Sequence, residues 1–243
     1  MGKARYAIYY TPDSDSPLWE FCTRWLGRDC ATGKDIAQPN VKDMDGKWLR
    51  DITVAPRHYG LHATLKPPFR LAKGHDRETL DEALEAFVTG HPSIKVPGLE
   101  LAALDGFIAL RPKKSCQDLQ DFAASCVKEF DGFRAPPSDQ ELKKRLKGDL
   151  TKPQKDLLHK WGYPYVLDEF RFHMTLTERL KDKDRKVAFK ALNKLMGDLL
   201  DGKPWVLDTL TLARQKNPDQ PFLILKTYPF MQRRVGRWLA KKK

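Results

Sequence analysis

Hydrophobic and polar residues alternate along two short stretches of the chain, and both stretches contain the same pattern. The stretches are His62-Ala63-Thr64-Leu65 and His173-Met174-Thr175-Leu176. Alternation with a period of two predicts a β-strand, on which successive side chains point to opposite faces. Each copy is therefore expected to bury its apolar residues on one face and to present a histidine and a threonine together on the other.

A basic residue is expected on the same face as each histidine. Lys66 follows Thr64 by two residues, and Arg171 precedes His173 by two residues. An imidazole, a hydroxyl and a cation on one strand face are suited to an anion-binding cleft. We therefore predict that Thr64, Thr175, Lys66 and Arg171 bind a phosphate group beside the two histidines.

The same patterns predict the other elements of the chain. Strands are expected over 5–10, 60–66, 94–104, 107–110, 169–177, 205–214 and 222–228. Helices are expected over 17–26, 77–88, 116–130, 138–148, 151–161 and 182–200, with a basic C-terminal helix that carries Val235, Trp238 and Leu239 on one side. Pro67-Pro68 should end the first motif strand, and residues 27–59 should form a long excursion that shapes or covers the cleft.

The order of predicted elements after each motif is the same: motif strand, helix, strand, strand. This repeat predicts two related lobes about a pseudo-two-fold axis, with the motif strands facing each other across a central cleft. Strands and helices joined by hairpins indicate an α+β fold with antiparallel sheets lining the cleft and helices outside. We expect a single bilobal domain over residues 1–243, with interleaved lobes of roughly residues 1–115 and 116–243.

Composition favours a folded protein that binds anions. The 243 residues are 41% hydrophobic and include six tryptophans, enough for a large core. The net charge of +12 favours phosphates or nucleic acids as ligands. No membrane-length apolar run or signal core is present, so a cytoplasmic location and no membrane partner are expected, with a monomer as the favoured state. The cysteines lack metal-site spacing and are expected to be free thiols: Cys22, Cys30, Cys116 and Cys126.

Two histidines across a cleft are suited to phosphodiester chemistry. The unperturbed pKa of histidine is about 6.5, so one ring can be neutral while the other is protonated. The neutral ring would accept a proton from the attacking group, and the protonated ring would donate one to the leaving oxygen. This scheme needs no cofactor and no metal, and no third metal ligand accompanies the histidines. The pattern does not assign the two roles between His62 and His173.

Longer stretches around the motifs resemble a known superfamily. HATL and HMTL are similar to the paired His-x-Thr signature of the 2H phosphoesterases. RYAIYYTP, YGLHATLKPPFRLA and WGYPYVLDEFRFHMTLTERL resemble one branch of it, the phosphonate-metabolism proteins. The resemblance implies a bilobal 2H fold and a metal-independent phosphoesterase. It also implies catalytic roles for His62 and His173 and phosphate binding by Thr64 and Thr175.

The substrate implied by this branch is a small phosphate ester, in particular a cyclic phosphate of ribose. Tyr6 and Tyr163 are further candidates for contacts with it, although packing is the more ordinary role for both. Two alternatives remain open at this point. The substrate could be an RNA 2′,3′-cyclic phosphate, given the basic charge, or the chain could be a non-catalytic module that binds RNA or phosphate.

Overall fold

The computed structural model describes residues 4–42, 44–200 and 202–231. The strands are β1 (Arg5–Tyr10), β2 (Ala63–Phe69), β3 (Ile94–Val96), β4 (Leu99–Leu104), β5 (Phe107–Pro112), β6 (Met174–Thr175), β7 (Trp205–Leu207), β8 (Thr209–Gln215) and β9 (Leu223–Pro229). The α-helices are α1 (Pro17–Leu26), α2 (Gly46–Ile52), α3 (Val54–Tyr59), α4 (Arg77–Thr89), α5 (Gln117–Glu129), α6 (Asp139–Leu146), α7 (Lys152–Trp161) and α8 (Asp182–Met196).

Seven of the strands form one sheet in the order β4-β5-β6-β2-β1-β8-β9, and β3 pairs with β7 in a second, two-stranded sheet. Every pair of neighbouring strands is antiparallel. The predicted α+β class with antiparallel sheets is confirmed. One face of the large sheet carries Tyr6, Ile8 and Tyr10 of β1 into the main core. The other face carries Ala7 and Tyr9, which pack with Phe222, and we call it the site face.

Local sequence explains several of the element boundaries. Ser16 accepts a hydrogen bond from the Trp19 amide at the start of α1, and Gly27 ends that helix with a φ of 79°. Asp105 and Gly106 join β4 to β5, both with positive φ, as a two-residue hairpin turn requires. Helices α6 and α7 each begin with a capping box, at Ser138 and Thr151.

The two halves of the chain repeat one order of elements. Motif strand β2 is followed by α4, β3, β4 and β5, and motif strand β6 is followed by α8, β7, β8 and β9. Equivalent strands also pair with each other, β2 with β6 and β3 with β7. Antiparallel pairing of equivalent elements is what a local two-fold axis produces, as the sequence repeat predicted.

The motif strands differ from the sequence-based prediction in two respects. They do not face each other across a cleft but lie side by side as hydrogen-bonded neighbours in the large sheet. The second strand is confined to Met174–Thr175, whereas the first continues through both prolines to Phe69. Pro67 and Pro68 are tolerated because β6 pairs with β2 only at Ala63, so the missing amide protons interrupt no ladder on that side.

Residues 27–59 contain the short helices α2 and α3 and are fixed to the β8–β9 hairpin. The Phe222 amide donates to the His58 carbonyl at 2.9 Å, and the Ile224 amide donates to the Cys30 carbonyl at the same distance. The buried Arg28 guanidinium donates to the Phe222 carbonyl at 2.8 Å. These bonds fix the excursion against the site face, where it contributes Tyr59 to the surroundings of His62.

Three further predictions concern the C-terminal helix, membrane-spanning segments and the cysteines. The predicted C-terminal helix with Val235, Trp238 and Leu239 lies outside the described residues. Within the described ranges, none of the helices has both the length and the apolar character needed to span a membrane. All four cysteines are free, and Cys22, Cys30 and Cys126 are buried.

A bulge in β2 changes the direction of Lys66. Ile8 of β1 lies opposite Lys66 and Tyr9 lies opposite Thr64, so β2 has one extra residue between these two pairs. Lys66 therefore lies on the core face with Ile8, not on the face of Thr64 as the alternation predicted. Its side chain is 1% exposed and donates to the Val127 carbonyl at 2.9 Å and to Asp131 at 3.2 Å. Burial lowers the pKa of Lys66 to about 8, and Asp131 partly offsets that effect.

The Lys66 contacts predict a structural role. Replacement of Asp131 by Asn leaves the buried ammonium without its carboxylate, and we expect the free energy of unfolding to fall by about 1–3 kcal/mol. Urea denaturation measures this change. Glu129→Gln, an exposed site at the C-terminal end of α5 and two residues before Asp131, is the matched control and should change stability by less than ~0.5 kcal/mol. Equal effects of the two substitutions would refute the structural role.

Candidate active site

The two motifs pair with each other at their second residues. Ala63 and Met174, the second residues of the two motifs, lie directly opposite each other in the β2–β6 pair. Continued by one residue in each direction, this antiparallel register sets His62 against Thr175 and Thr64 against His173. The two histidines are then diagonal neighbours, whose Cβ atoms in such a ladder are ~7–8 Å apart. That spacing leaves room for a phosphate group between the rings.

Each histidine is held by the carbonyl group two residues before it. Nδ1 of His62 donates to the Gly60 carbonyl at 2.8 Å, and Nδ1 of His173 donates to the Arg171 carbonyl at 2.7 Å. A carbonyl oxygen can only accept, so both rings carry a proton on Nδ1 and, when neutral, a lone pair on Nε2. The paired motifs thus present two equivalent Nε2 atoms for proton transfer.

The backbone that leads into the first motif adopts a conformation at residue 60 that requires glycine. Its φ and ψ are 79° and 179°, a conformation that is essentially restricted to glycine. A Cβ at this position would also collide with the side chain of the buried Cys30. Both constraints keep the Gly60 carbonyl aimed at Nδ1 of His62.

An aromatic cluster surrounds His62. The Tyr9 ring lies 4.0 Å from the His62 ring, and the Tyr59 ring lies 5.8 Å away, both measured between centroids. Phe222 stacks on Tyr59 at 5.2 Å and is fully buried. The hydroxyl of Tyr9, itself 1% exposed, has no hydrogen-bond partner among the described residues. His173 has one such neighbour, Phe107, at 5.6 Å.

The two histidines differ in their electrostatic surroundings. Burial and the nearby His173 lower the pKa of His62 to about 4, although the hydrogen bond to the Gly60 carbonyl partly offsets their effect. Burial also lowers the pKa of His173, but the negative charge of Asp105 acts in the opposite direction. A proton shared between the two sites is therefore held preferentially by His173, while His62 is neutral at pH 7.

Some of the predicted phosphate-binding residues lie beside the two histidines, and others do not. Thr64 and Thr175 are partly exposed beside the histidines on the adjacent motif strands. The side chain of Arg171 is exposed, and its predicted contact with phosphate stays a prediction. Lys66 is not part of this group, because the bulge turns it into the core.

Tyr6 and Tyr163, the two candidates for contacts with substrate, lie in different surroundings. Tyr6 lies on the core face of β1 and is 8% exposed, which favours the packing role over a contact with substrate. Tyr163 is close enough to Tyr9 and Tyr59 to affect them electrostatically, and its ring contacts Arg145. It therefore stays a candidate for substrate contact.

Three residues of the site were missed by the sequence analysis: Tyr9, Gly60 and Asp105. Alternation along RYAIYY shows that Tyr9 and Tyr10 face opposite sides but does not show which side meets the histidines. Gly60 stands two residues before His62, at the position of the carbonyl acceptor. Asp105 lies in the turn between β4 and β5, and only the pairing of β5 with β6 brings that turn near His173.

The described residues contain no group of three or more His, Cys, Asp or Glu side chains that could hold a metal ion. The candidate site thus consists of two imidazoles, two hydroxyls and an aromatic surround. Its fold and side chains define an α+β protein with two histidines paired across adjacent strands.

Comparison with known proteins agrees with the branch that the sequence resembles. Residues 64–223 match the family described as "Protein of unknown function (DUF1045)", and the chain belongs to this family. It is 37% identical over 229 residues to ribose 1,5-bisphosphate phosphokinase PhnN of Janthinobacterium sp. (strain Marseille), covering 93% of this chain and 51% of the relative. The protein of the same name from Laribacter hongkongensis (strain HLHK9) is 32% identical over 182 residues, covering 74% of this chain and 41% of the relative. The chain spans about half the length of these curated relatives.

Solved structures also align with most of the chain, at low sequence identity. E. coli LigT complexed with 3′-AMP is 10% identical, with 95% of this chain and 100% of that chain covered and a TM-score of 0.42. A structure described as a phosphoesterase is 11% identical and has a TM-score of 0.41. The alignment covers 93% of this chain and 98% of that chain.

The carbonyl contact of His62 predicts its tautomer. Long-range ¹H–¹⁵N NMR should show His62 with its proton on Nδ1 at pH 7. Gly60→Ala should reduce that population and lower the free energy of unfolding by about 1–3 kcal/mol, because the Gly60 conformation is strained for alanine. Gly132→Ala is the control, since a Cβ at Gly132 meets no atom within 4 Å. An unchanged His62 spectrum in Gly60→Ala would contradict the positioning role of Gly60.

Proposed function

We propose that the chain is a metal-independent phosphoesterase that opens a cyclic phosphodiester by two-histidine acid–base catalysis. The observation that carries this proposal is the pairing of the two motifs at Ala63 and Met174. This register supports a site in which two Nδ1-protonated imidazoles and two threonine hydroxyls surround one space. Each of the two proton-transfer roles is typically worth about 10²–10⁴ in rate.

The pKa asymmetry supports an assignment of the two roles. His62, which is neutral at pH 7, takes a proton from the attacking water through Nε2. His173, whose protonated form is favoured by Asp105, gives its proton to the oxygen that leaves phosphorus. The water oxygen forms the new P–O bond as the ring P–O bond breaks, so protons and charge balance. The negative charge of the bound diester also raises the pKa of His173, since an opposite charge favours the protonated ring.

The threonines and Arg171 complete the proposed mechanism. Thr64 and Thr175 donate hydrogen bonds to the non-bridging phosphate oxygens, and Arg171 offsets the charge that grows on them in the transition state. For the substrate, we propose a small sugar phosphate, specifically a cyclic phosphate of ribose. The name of the curated relatives refers to a ribose bisphosphate, which supports that sugar as the substrate class.

An RNA 2′,3′-cyclic phosphate is the alternative substrate, supported by the net charge of +12. A non-catalytic module that binds RNA or phosphate is the alternative of a different class. Binding of RNA that weakens steeply with salt and does not change when both histidines are replaced would favour the binding module.

Phosphorus NMR of EDTA-treated protein tests the proposed reaction. We expect opening of ribose cyclic phosphate, with kcat lowered at least ~10²-fold in His62→Ala and in His173→Ala. His159→Ala is the control, because His159 is exposed on α7 and should leave kcat unchanged. Turnover that survives both substitutions, or that EDTA abolishes, would refute the two-histidine mechanism.

The pH profile tests the assignment of the roles. Asp105→Asn removes the charge that raises the pKa of His173, so His173 should lose its proton at lower pH. The alkaline limb of kcat/KM should therefore move to lower pH, while the acidic limb, which reports His62, moves less. Asparagine tolerates the positive φ of 44° at this turn. Asp219→Asn, an exposed site in the β8–β9 connection, should leave both limbs in place. A shift of the acidic limb alone would reverse the assignment.

A further inference from the structure

A second group of basic side chains surrounds a cavity on the site face. The cavity has a volume of about 40 Å³ and is lined by Arg5, Pro68, Arg70, Arg134, Arg145 and Gly162, among others. Since a water molecule needs roughly 10–15 Å³ measured in this way, the cavity has room for a few waters, close to the size of a phosphate group. None of the predicted phosphate-binding residues lines it.

Two of the four arginines have their charge neutralised within the protein. Arg70 makes a bidentate ion pair with Glu141. Arg134 makes two hydrogen bonds to Asp131, at 2.8 and 3.0 Å, and also donates to the Lys160 carbonyl. These pairs form the walls of the cavity and leave little positive charge for a ligand.

The other two arginines have no carboxylate partner among the described residues. Arg5 donates through Nε to the neutral amide of Gln215 at 2.8 Å and lies over the Phe222 ring. Arg145 lies over the Tyr163 ring, 5.2 Å from its centroid. Both guanidinium groups are thus oriented by neutral partners and keep their charge. Two oriented guanidinium groups beside one cavity are suited to a phosphate dianion.

The cavity lies on the same side of the sheet as the histidines. Arg5 and Tyr9 are four residues apart on β1 and share the site face, which places their Cα atoms ~13 Å apart. Tyr9 contacts His62, and Tyr163, which packs under Arg145, is near Tyr9. The Arg5 guanidinium lies 5.7 Å from the Phe222 ring, whose centroid is 6.2 Å from that of Tyr9. Rings in contact thus connect the cavity to His62, which suits a sugar with phosphates at both ends.

We propose that this cavity binds a second, terminal phosphate of the substrate, through Arg5 and Arg145. The inference rests on the proposed function and narrows its substrate class to cyclic phosphates that also carry a phosphomonoester. The histidines act on the cyclic phosphate, and the arginine cavity positions the other end of the molecule.

The test compares ribose cyclic phosphate with the same compound bearing a 5-phosphate. Binding of both is measured by calorimetry in the inactive His62→Ala/His173→Ala protein, and kcat and KM are measured in the active protein. Arg145→Gln should weaken binding of the 5-phosphorylated compound about 10-fold, the effect of one charge-assisted hydrogen bond. It should leave binding of the other compound and kcat unchanged. Lys143→Gln, on the same helix but outside the cavity, should change neither.

Arg5→Gln provides a second variant on a different element and should give the same selective loss. Equal effects of Arg145→Gln on both compounds, or binding that does not depend on the 5-phosphate, would overturn the cavity proposal. A selective loss for oligonucleotides ending in a cyclic phosphate, with none for the ribose compound, would overturn it in favour of RNA. Selective binding without turnover in the active protein would instead sustain the cavity and refute the proposed reaction.

Discussion

The antiparallel pairing of Ala63 with Met174 is the contact on which the candidate site depends. It sets each histidine against the threonine of the other motif, so the site has the symmetry of the strand pair. Since β6 has only two residues, it needs support from elsewhere. Strand β5 pairs along its other side, and Trp25 Nε1 donates to the Leu176 carbonyl at 3.0 Å. The Oγ1 atom of Thr177 accepts from the Ile108 amide at 2.9 Å. The contacts with β5, Trp25 and Ile108 thus keep His173 in place, although β6 itself has only two residues.

The basic residues divide into two groups with different physical roles. Lys66, Arg70 and Arg134 pair with carboxylates and stabilise the packing of α5 and α6 against β2. Arg5 and Arg145 have neutral partners, and their charge is available to an anion on the site face. Net charge alone does not separate these groups, because a paired cation and an unpaired one count equally. The distinction depends on which carboxylates the fold brings within hydrogen-bond distance.

The surroundings of His62 also explain why the two histidines are chemically unequal despite their symmetric backbone. The excursion over residues 27–59 brings Tyr59 beside His62, and β1 adds Tyr9. Burial among these rings disfavours the imidazolium form of His62. His173 has Phe107 as its ring neighbour and the negative charge of Asp105 nearby. Symmetry provides two equivalent Nε2 atoms, and the asymmetric surround makes the proton affinities of the two rings unequal.

The sequence by itself determined the fold class, the repeated order of elements and the two motifs, because each depends on local periodicity and turn chemistry. Alternation predicted the strands around His62 and His173, and the strands expected over 94–104 and 107–110 end and begin at the β4–β5 hairpin turn. Tertiary structure alone decided which strands are neighbours and which way side chains point past an irregularity. The bulge between Thr64 and Lys66 moved Lys66 into the core, since one extra residue reverses the alternation beyond it. Likewise, Tyr9 rather than Tyr6 reached His62, because the face of β1 that meets the motif is set by its partner strand and not by its own sequence.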